Sequence, residues 1–134
     1  MIIYQSEERM SDSEYSSIIG SRDGIILPLD MDPADNAVSL HINNVYSFNL
    51  IGFGKQNVIS YIEYSNINSE NISEFMEQYD HSKLEYNNID INSLDYPLLG
   101  VVIVPSNGAT IFTICKSISK IMPSGESVYT ISPV

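Results

Sequence analysis

The chain has 134 residues, 43 % of them hydrophobic and 17 % charged, a length and composition that permit one core-bearing domain over residues 1–134 and exclude compositional disorder. Seventeen Asp and Glu face six Lys and Arg, and the net charge is −11. The imbalance is local, because residues 1–95 hold sixteen acids against Arg9, Arg22, Lys55 and Lys83, a field that repels nucleic acid, phosphate-rich ligands and anionic membrane and draws in cationic partners.

The first residues carry neither a basic stretch nor a long apolar one, so no secretory signal is expected and a cytoplasmic chain is the default. Ser11-Asp12-Ser13-Glu14 has the spacing of a capping box, with Met10 and Tyr15 at the staple positions and Gly20 as a stop. That pattern predicts a short helix near residues 12–19. Gly24 to Leu29 reads as a brief strand, followed by the acidic loop Asp30-Met31-Asp32-Pro33-Ala34-Asp35. Residues 37–42 alternate, with Val38, Leu40 and Ile42 on one face and Ser39 and His41 on the other. Asn43-Asn44 suits a two-residue hairpin turn, returning through Tyr46, Phe48 and Leu50 until Gly52 and Gly54 break the strand.

Val58 to Tyr64 is β-branched and aromatic, another strand. From Ser69 onward Ile72, Phe75, Met76 and Tyr79 form a continuous helical stripe, with Glu70, Glu74 and Glu77 on the opposite side. Leu84 to Tyr86 and Ile89 to Ile91 flank Asn87-Asn88 as a second candidate hairpin. Leu98 to Val104 is apolar on both faces, as a central buried strand is, and far too short to cross a membrane. Pro105-Ser106-Asn107-Gly108 turns into Ala109 to Cys115, and Pro123-Ser124-Gly125 turns into Ser127 to Ile131. The expected fold is α+β: an antiparallel, strand-dominated domain, sandwich- or half-barrel-like, with seven to nine strands and two short helices.

The residues offer little material for catalysis or cofactors. Asp30-x-Asp32-x-x-Asp35 superficially matches a calcium loop, but Ala34 stands where a ligand belongs, Asp35 where the turn glycine belongs, and His41 in place of the final Glu. A solvated acidic loop or a contact for a basic partner fits better. Cys115 lies in an apolar strand and reads as an inert core thiol rather than a nucleophile served by His41 or His81. Gly52-Phe-Gly54-Lys55 lacks the spacing of a phosphate loop. No pair of carboxylates is marked by spacing. No enzyme activity, metal or cofactor is therefore expected.

The stretch from Glu63 to Asp95 carries eight acids against Lys83, with Tyr64, Tyr79, Tyr86 and Tyr96 interleaved. Charge clusters often only solubilise, but carboxylates beside tyrosines also make a recognition surface for a basic protein, the aromatics serving as anchors. A small, acidic, cysteine-poor domain of this kind resembles the bacterial immunity proteins of toxin–immunity systems, those of contact-dependent growth inhibition in particular. The resemblance spans the chain and rests on size, acidity and the lack of catalytic motifs. Asp30, Asp32, Asp35, Glu70, Glu74, Glu77, Asp80 and Glu85 carry it, with Tyr86 among them as an aromatic contact. It implies a partner-binding face at these residues and a basic toxin domain, most often a nuclease, held inactive by occlusion of its cleft. Two other readings stand beside it: an accessory or nucleic-acid-mimic protein of a phage or mobile element, and a carbohydrate-binding or hydrolytic β-sandwich.

Overall fold

The computed structural model describes residues 5–29, 38–80 and 92–134. They form ten strands and one helix: β1 (Gln5–Tyr15), β2 (Ile19–Gly20), β3 (Gly24–Leu29), β4 (Val38–Asn43), β5 (Ser47–Ile51), β6 (Asn57–Ile67), α1 (Ile72–Asp80), β7 (Leu98–Asn107), β8 (Thr110–Cys115), β9 (Ser117–Ile121) and β10 (Ser127–Ile131). The strands pair antiparallel in two five-stranded sheets, one ordered β1-β6-β7-β8-β5 and the other β10-β9-β4-β3-β2.

The sheets pack face to face as a sandwich. Leu27, Leu40, Ile42 and Ile118 of one sheet meet Ile59, Ile62, Val101, Ile103 and Ile111 of the other, all at most 1 % exposed. On the far side of the first sheet a second cluster joins Ile67, Leu98, Val102 and Ile114 to Ile72 and Phe75 of α1. That sheet is thus covered on both faces, which is why Leu98 to Ile103 is apolar throughout and fully buried. Gly100 makes the helix fit: a Cβ there would stand 2.8 Å from Ile67 and 2.9 Å from Phe75. The layer order is sheet, sheet, helix.

The expected strands at Gly24–Leu29, 37–42 and 58–64 correspond to β3, β4 and β6, and those from Leu98, Ala109 and Ser127 to β7, β8 and β10. Two expectations are corrected. Residues 11–15 belong to β1, where Ser13 and Tyr15 are buried and Glu14 between them is half-exposed. A single helical turn pays the cost of nucleation for very few bonds, whereas eleven residues of strand gain a partner along β6. The described residues therefore hold one helix rather than two.

The second correction concerns Asn43-Asn44. Asn44 does take the left-handed conformation, φ 52°, but β4 and β5 do not pair. Asn44 N–H donates to the Asp23 carbonyl in one sheet and Tyr46 N–H to the Ile114 carbonyl in the other, so the connection is a corner between sheets. Lys116 makes the matching corner, carrying the chain from β8 in one sheet to β9 in the other, with its N–H donating to the Asn43 carbonyl. The expected hairpin at residues 84–91 lies outside the described residues.

One buried side chain ties an end of the sandwich together. Asn57, fully buried, accepts from Gly54 N–H at 3.0 Å and Ala109 N–H at 3.2 Å, and donates to the carbonyls of Gly54 and Tyr15. Asn57→Ala leaves the buried Tyr15 carbonyl and Ala109 N–H without their partner, while the Gly54 groups stand nearer the surface, and a loss of about 2–4 kcal/mol is expected in urea unfolding. A loss below about 0.5 kcal/mol would show that the loops repair themselves by other bonds.

Candidate functional site: the acidic helix face

The helix is held by a reciprocal cap. Asn68 Oδ1 accepts from the N–H groups of Glu70 (2.9 Å) and Asn71 (3.0 Å), while Asn71 Oδ1 accepts from Asn68 N–H (2.8 Å) and Asn71 Nδ2 donates to the Asn66 carbonyl. These bonds satisfy amides that the first turn leaves open. They fix the start of α1 against the end of β6. The helix start expected near Ser69 is thus set by Asn68 and Asn71, the chemistry of a capping box with asparagine in both roles.

With Ile72 and Phe75 buried against the sheet, Glu70, Glu74 and Glu77 project into solvent, as the stripe predicts. The carboxylates of Glu70 and Glu74, at the start of the helix, also complement its dipole. Glu63, half-buried on β6 in register with Val102, stands on the face of the sheet that the helix covers. Asp95 is exposed and joined to Lys116, whose Nζ lies 3.2 Å from Asp95 Oδ2 and also donates to the Asp95 carbonyl.

The opposite face of the sandwich differs in kind. Ser39, His41 and Asn43 of β4, Ser117 and Ser119 of β9, and Ser127 and Thr130 of β10 lie on the face away from the core, and none of them is Asp, Glu, Lys or Arg. Asn43 Nδ2 donates to Ser117 Oγ at 3.0 Å and to Ser119 Oγ at 3.3 Å. Ser119 Oγ and Thr130 Oγ1 lie 3.0 Å apart, continuing the chain of hydrogen bonds across the sheet. Among the described residues, exposed carboxylates stand on the helix side and hydroxyl and amide side chains line the outer strands of the second sheet.

Of the other candidate residues, Asp30, Asp32, Asp35, His81, Glu85 and Tyr86 lie outside the described residues, and Asp80 is placed only as the last residue of α1. The tyrosines read as anchors are partly core: Tyr64 packs on the cluster between the sheets and Tyr96 on the cluster beneath the helix, both half-buried. Cys115 faces the core between the sheets and His41 the outer face of the second sheet, so the two do not meet.

Burial pushes the Cys115 thiol up to about 12, a hydrogen bond from the Ser117 backbone opposing weakly. Its thiolate is therefore scarce at pH 8, and the sulfur is closed to reagents. Native protein is expected to label with a thiol reagent at least about a hundredfold more slowly than urea-unfolded protein. Equal rates would place this sulfur at the surface.

Among the described residues, no three His, Cys, Asp or Glu side chains stand close enough to share a metal ion, and no helix is long and apolar enough to cross a membrane. Comparison of the chain with protein-family models, with curated proteins and with solved structures gives no match.

Proposed function

We propose that this chain is an acidic protein-binding domain that neutralises a cognate basic toxin domain, a nuclease in the simplest case, in the bacterial cytoplasm. Binding occludes the toxin's active site or substrate cleft. The supporting observation is the placement of charge among the described residues: Glu70 in the capped turn that opens α1 and Glu74 and Glu77 on the helix stand exposed, whereas the hydrogen-bonded outer residues of β4, β9 and β10 include no carboxylate. Carboxylates fixed on a helix present negative charge at regular spacing, which is what a cleft built for phosphates accepts.

The role is one of binding, and no step of chemistry on this chain belongs to it. Its test is co-expression with the product of an adjacent large gene that has a basic C-terminal domain. Co-purification at equal stoichiometry, with loss of the partner's nuclease activity, is the expected result. A partner that remains fully active when the two are mixed above their binding constant would sink the proposal.

A further inference from the structure

At the end of β7 remote from the helix, the 52–56 loop after β5 and the turn after β7 enclose a cleft of about 680 Å³. Gly52, Gly54, Lys55, Gln56, Asn107 and Gly108 line it. Small-molecule sites usually span roughly 300–1,000 Å³, so the size suits a small ligand. Both walls are tied to one post, the buried Asn57. Its Oδ1 accepts from Gly54 N–H on one side and Ala109 N–H on the other, and its Nδ2 donates to the Gly54 carbonyl. The walls also approach each other at Gly108, where φ is 89° and a Cβ would stand 2.5 Å from the Gln56 carbonyl oxygen. The cleft is therefore shaped by fixed backbone, and a ligand does not have to order it.

The side chains presented there have a definite chemistry. Lys55 is a cation, and Gln56 and Asn107 are amides that both donate and accept. All three are exposed, and none makes a side-chain hydrogen bond or ion pair with a described residue. Lys55 is the sole ionisable group of the lining, and residues 47–58 and 97–115 contain no acid. Phe53 projects from the same loop between Gly52 and Gly54. Its ring is tilted against Tyr15 at 6.3 Å between centroids, yet the residue is 46 % exposed.

We propose that this cleft binds a sugar acid, a hexuronate, and it does so whether or not the chain neutralises a toxin. Lys55 takes the carboxylate in a charge-assisted hydrogen bond. Gln56 and Asn107 pair with ring hydroxyls, which donate and accept as the amides do. The C–H face of the pyranose covers the exposed part of Phe53 and removes apolar surface of both from water. A simple anion would engage Lys55 alone, and an apolar ligand would displace water from all three polar groups without replacing its hydrogen bonds. The acidic helix does not forbid an anion here: α1 packs over Leu98 and Gly100, about 20–30 Å of strand from Asn107, against a screening length of about 8 Å at physiological salt. Glu14 stands nearer, two strand spacings or about 10 Å from Asn107 across Val58, still beyond that length, whereas Lys55 acts at contact distance.

The test is titration of the isotope-labelled full chain with galacturonate and with glucuronate, followed by amide NMR. Methyl galactoside, acetate and inorganic phosphate at matched ionic strength are the comparisons. Saturable shifts at Gly52, Gly54, Gln56 and Gly108 with a dissociation constant of about 1–10 mM are expected for at least one uronate. The neutral galactoside should bind about threefold to tenfold more weakly for want of the charged contact. Lys55→Gln should erase that preference for the acid. Asn107→Ala and Phe53→Ala should weaken every sugar about fivefold or more, each read with an unchanged thermal melt. Acetate or phosphate binding as tightly as the uronates would make this an anion site only and overturn the proposal. So would shifts that persist in all three variants, or no saturable shift at the cleft with about 50 mM of either uronate.

Discussion

Val101→Asp is expected to abolish stable folding. Val101 is fully buried in the middle strand of its sheet, in register with Tyr64 on one side and Thr113 on the other, and its side chain faces the second sheet. A carboxylate there loses its water and gains no cation, since the residues described around it are Tyr64, Thr113 and the apolar side chains of the core. The cost is several kcal/mol, comparable with the whole stability of a domain this size, about 5–15 kcal/mol. Val101→Ala separates charge from volume: it removes two methyl groups only and should cost about 1–3 kcal/mol in urea unfolding. The aspartate variant should lack a cooperative melt by circular dichroism, whereas the alanine variant should keep one at lower temperature. An aspartate variant melting within a few degrees of wild type would mean that this position reaches solvent.

Charge reversal on the helix has the opposite profile, a large effect on binding and little on stability. Glu70→Lys, Glu74→Lys and Glu77→Lys together change three exposed positions while leaving Ile72 and Phe75 in place beneath them. Stability should fall only by about 1 kcal/mol or less, because cations near the helix start oppose its dipole. Affinity for a basic partner seated on this face should drop by several kcal/mol, a factor of about a thousand, as attraction becomes repulsion. For the wild type, the association rate should fall steeply with salt, since long-range steering is screened within about 10 Å at 0.1 M. The check is the binding rate across ionic strength for both proteins, with matched melts. Unchanged affinity in the triple variant would take the helix out of the contact and move attention to Asp30, Asp32 and Asp35.

Legibility in the sequence tracked how local the determining physics is. The run Leu98 to Ile103 is apolar at every position, and only a strand covered on both sides accepts that, so its central place could be read directly. The alternation of Val38, Leu40 and Ile42 with Ser39 and His41 likewise revealed one buried and one polar face. The stripe Ile72/Phe75/Met76 against Glu70/Glu74/Glu77 oriented the helix. Capping was less transparent. Ser11-x-x-Glu14 has the usual residues of a capping box and lies in a strand, while Asn68-x-x-Asn71 performs the reciprocal capping with asparagines. Packing separates the two: the apolar stripe of Ile72, Phe75 and Met76 seats α1 on its sheet, whereas β6 claims residues 11–15 as a paired strand.

The candidate face was legible as acids on one side of a helix, but its contrast with the hydroxyl and amide side chains described on the second sheet was not. That contrast arises because β4, β9 and β10, drawn from distant parts of the chain, are brought side by side, and their hydroxyls and amide then share one surface. Asn57 was invisible for the same reason: its partners Tyr15 and Ala109 lie 42 and 52 residues away.

By itself, then, the sequence determined element type wherever hydrophobic periodicity was long and unambiguous, and it determined the sign and uneven distribution of charge, because both are properties of neighbouring residues. Tertiary structure alone decided which strands pair, that Asn43-Asn44 turns a corner between sheets, and that residues 11–15 extend. Each of these depends on hydrogen bonds between residues far apart in the chain, and a backbone donor or acceptor has no residue-specific code for its distant partner. The choice goes to the pairing that satisfies the most backbone groups while burying both faces of the first sheet.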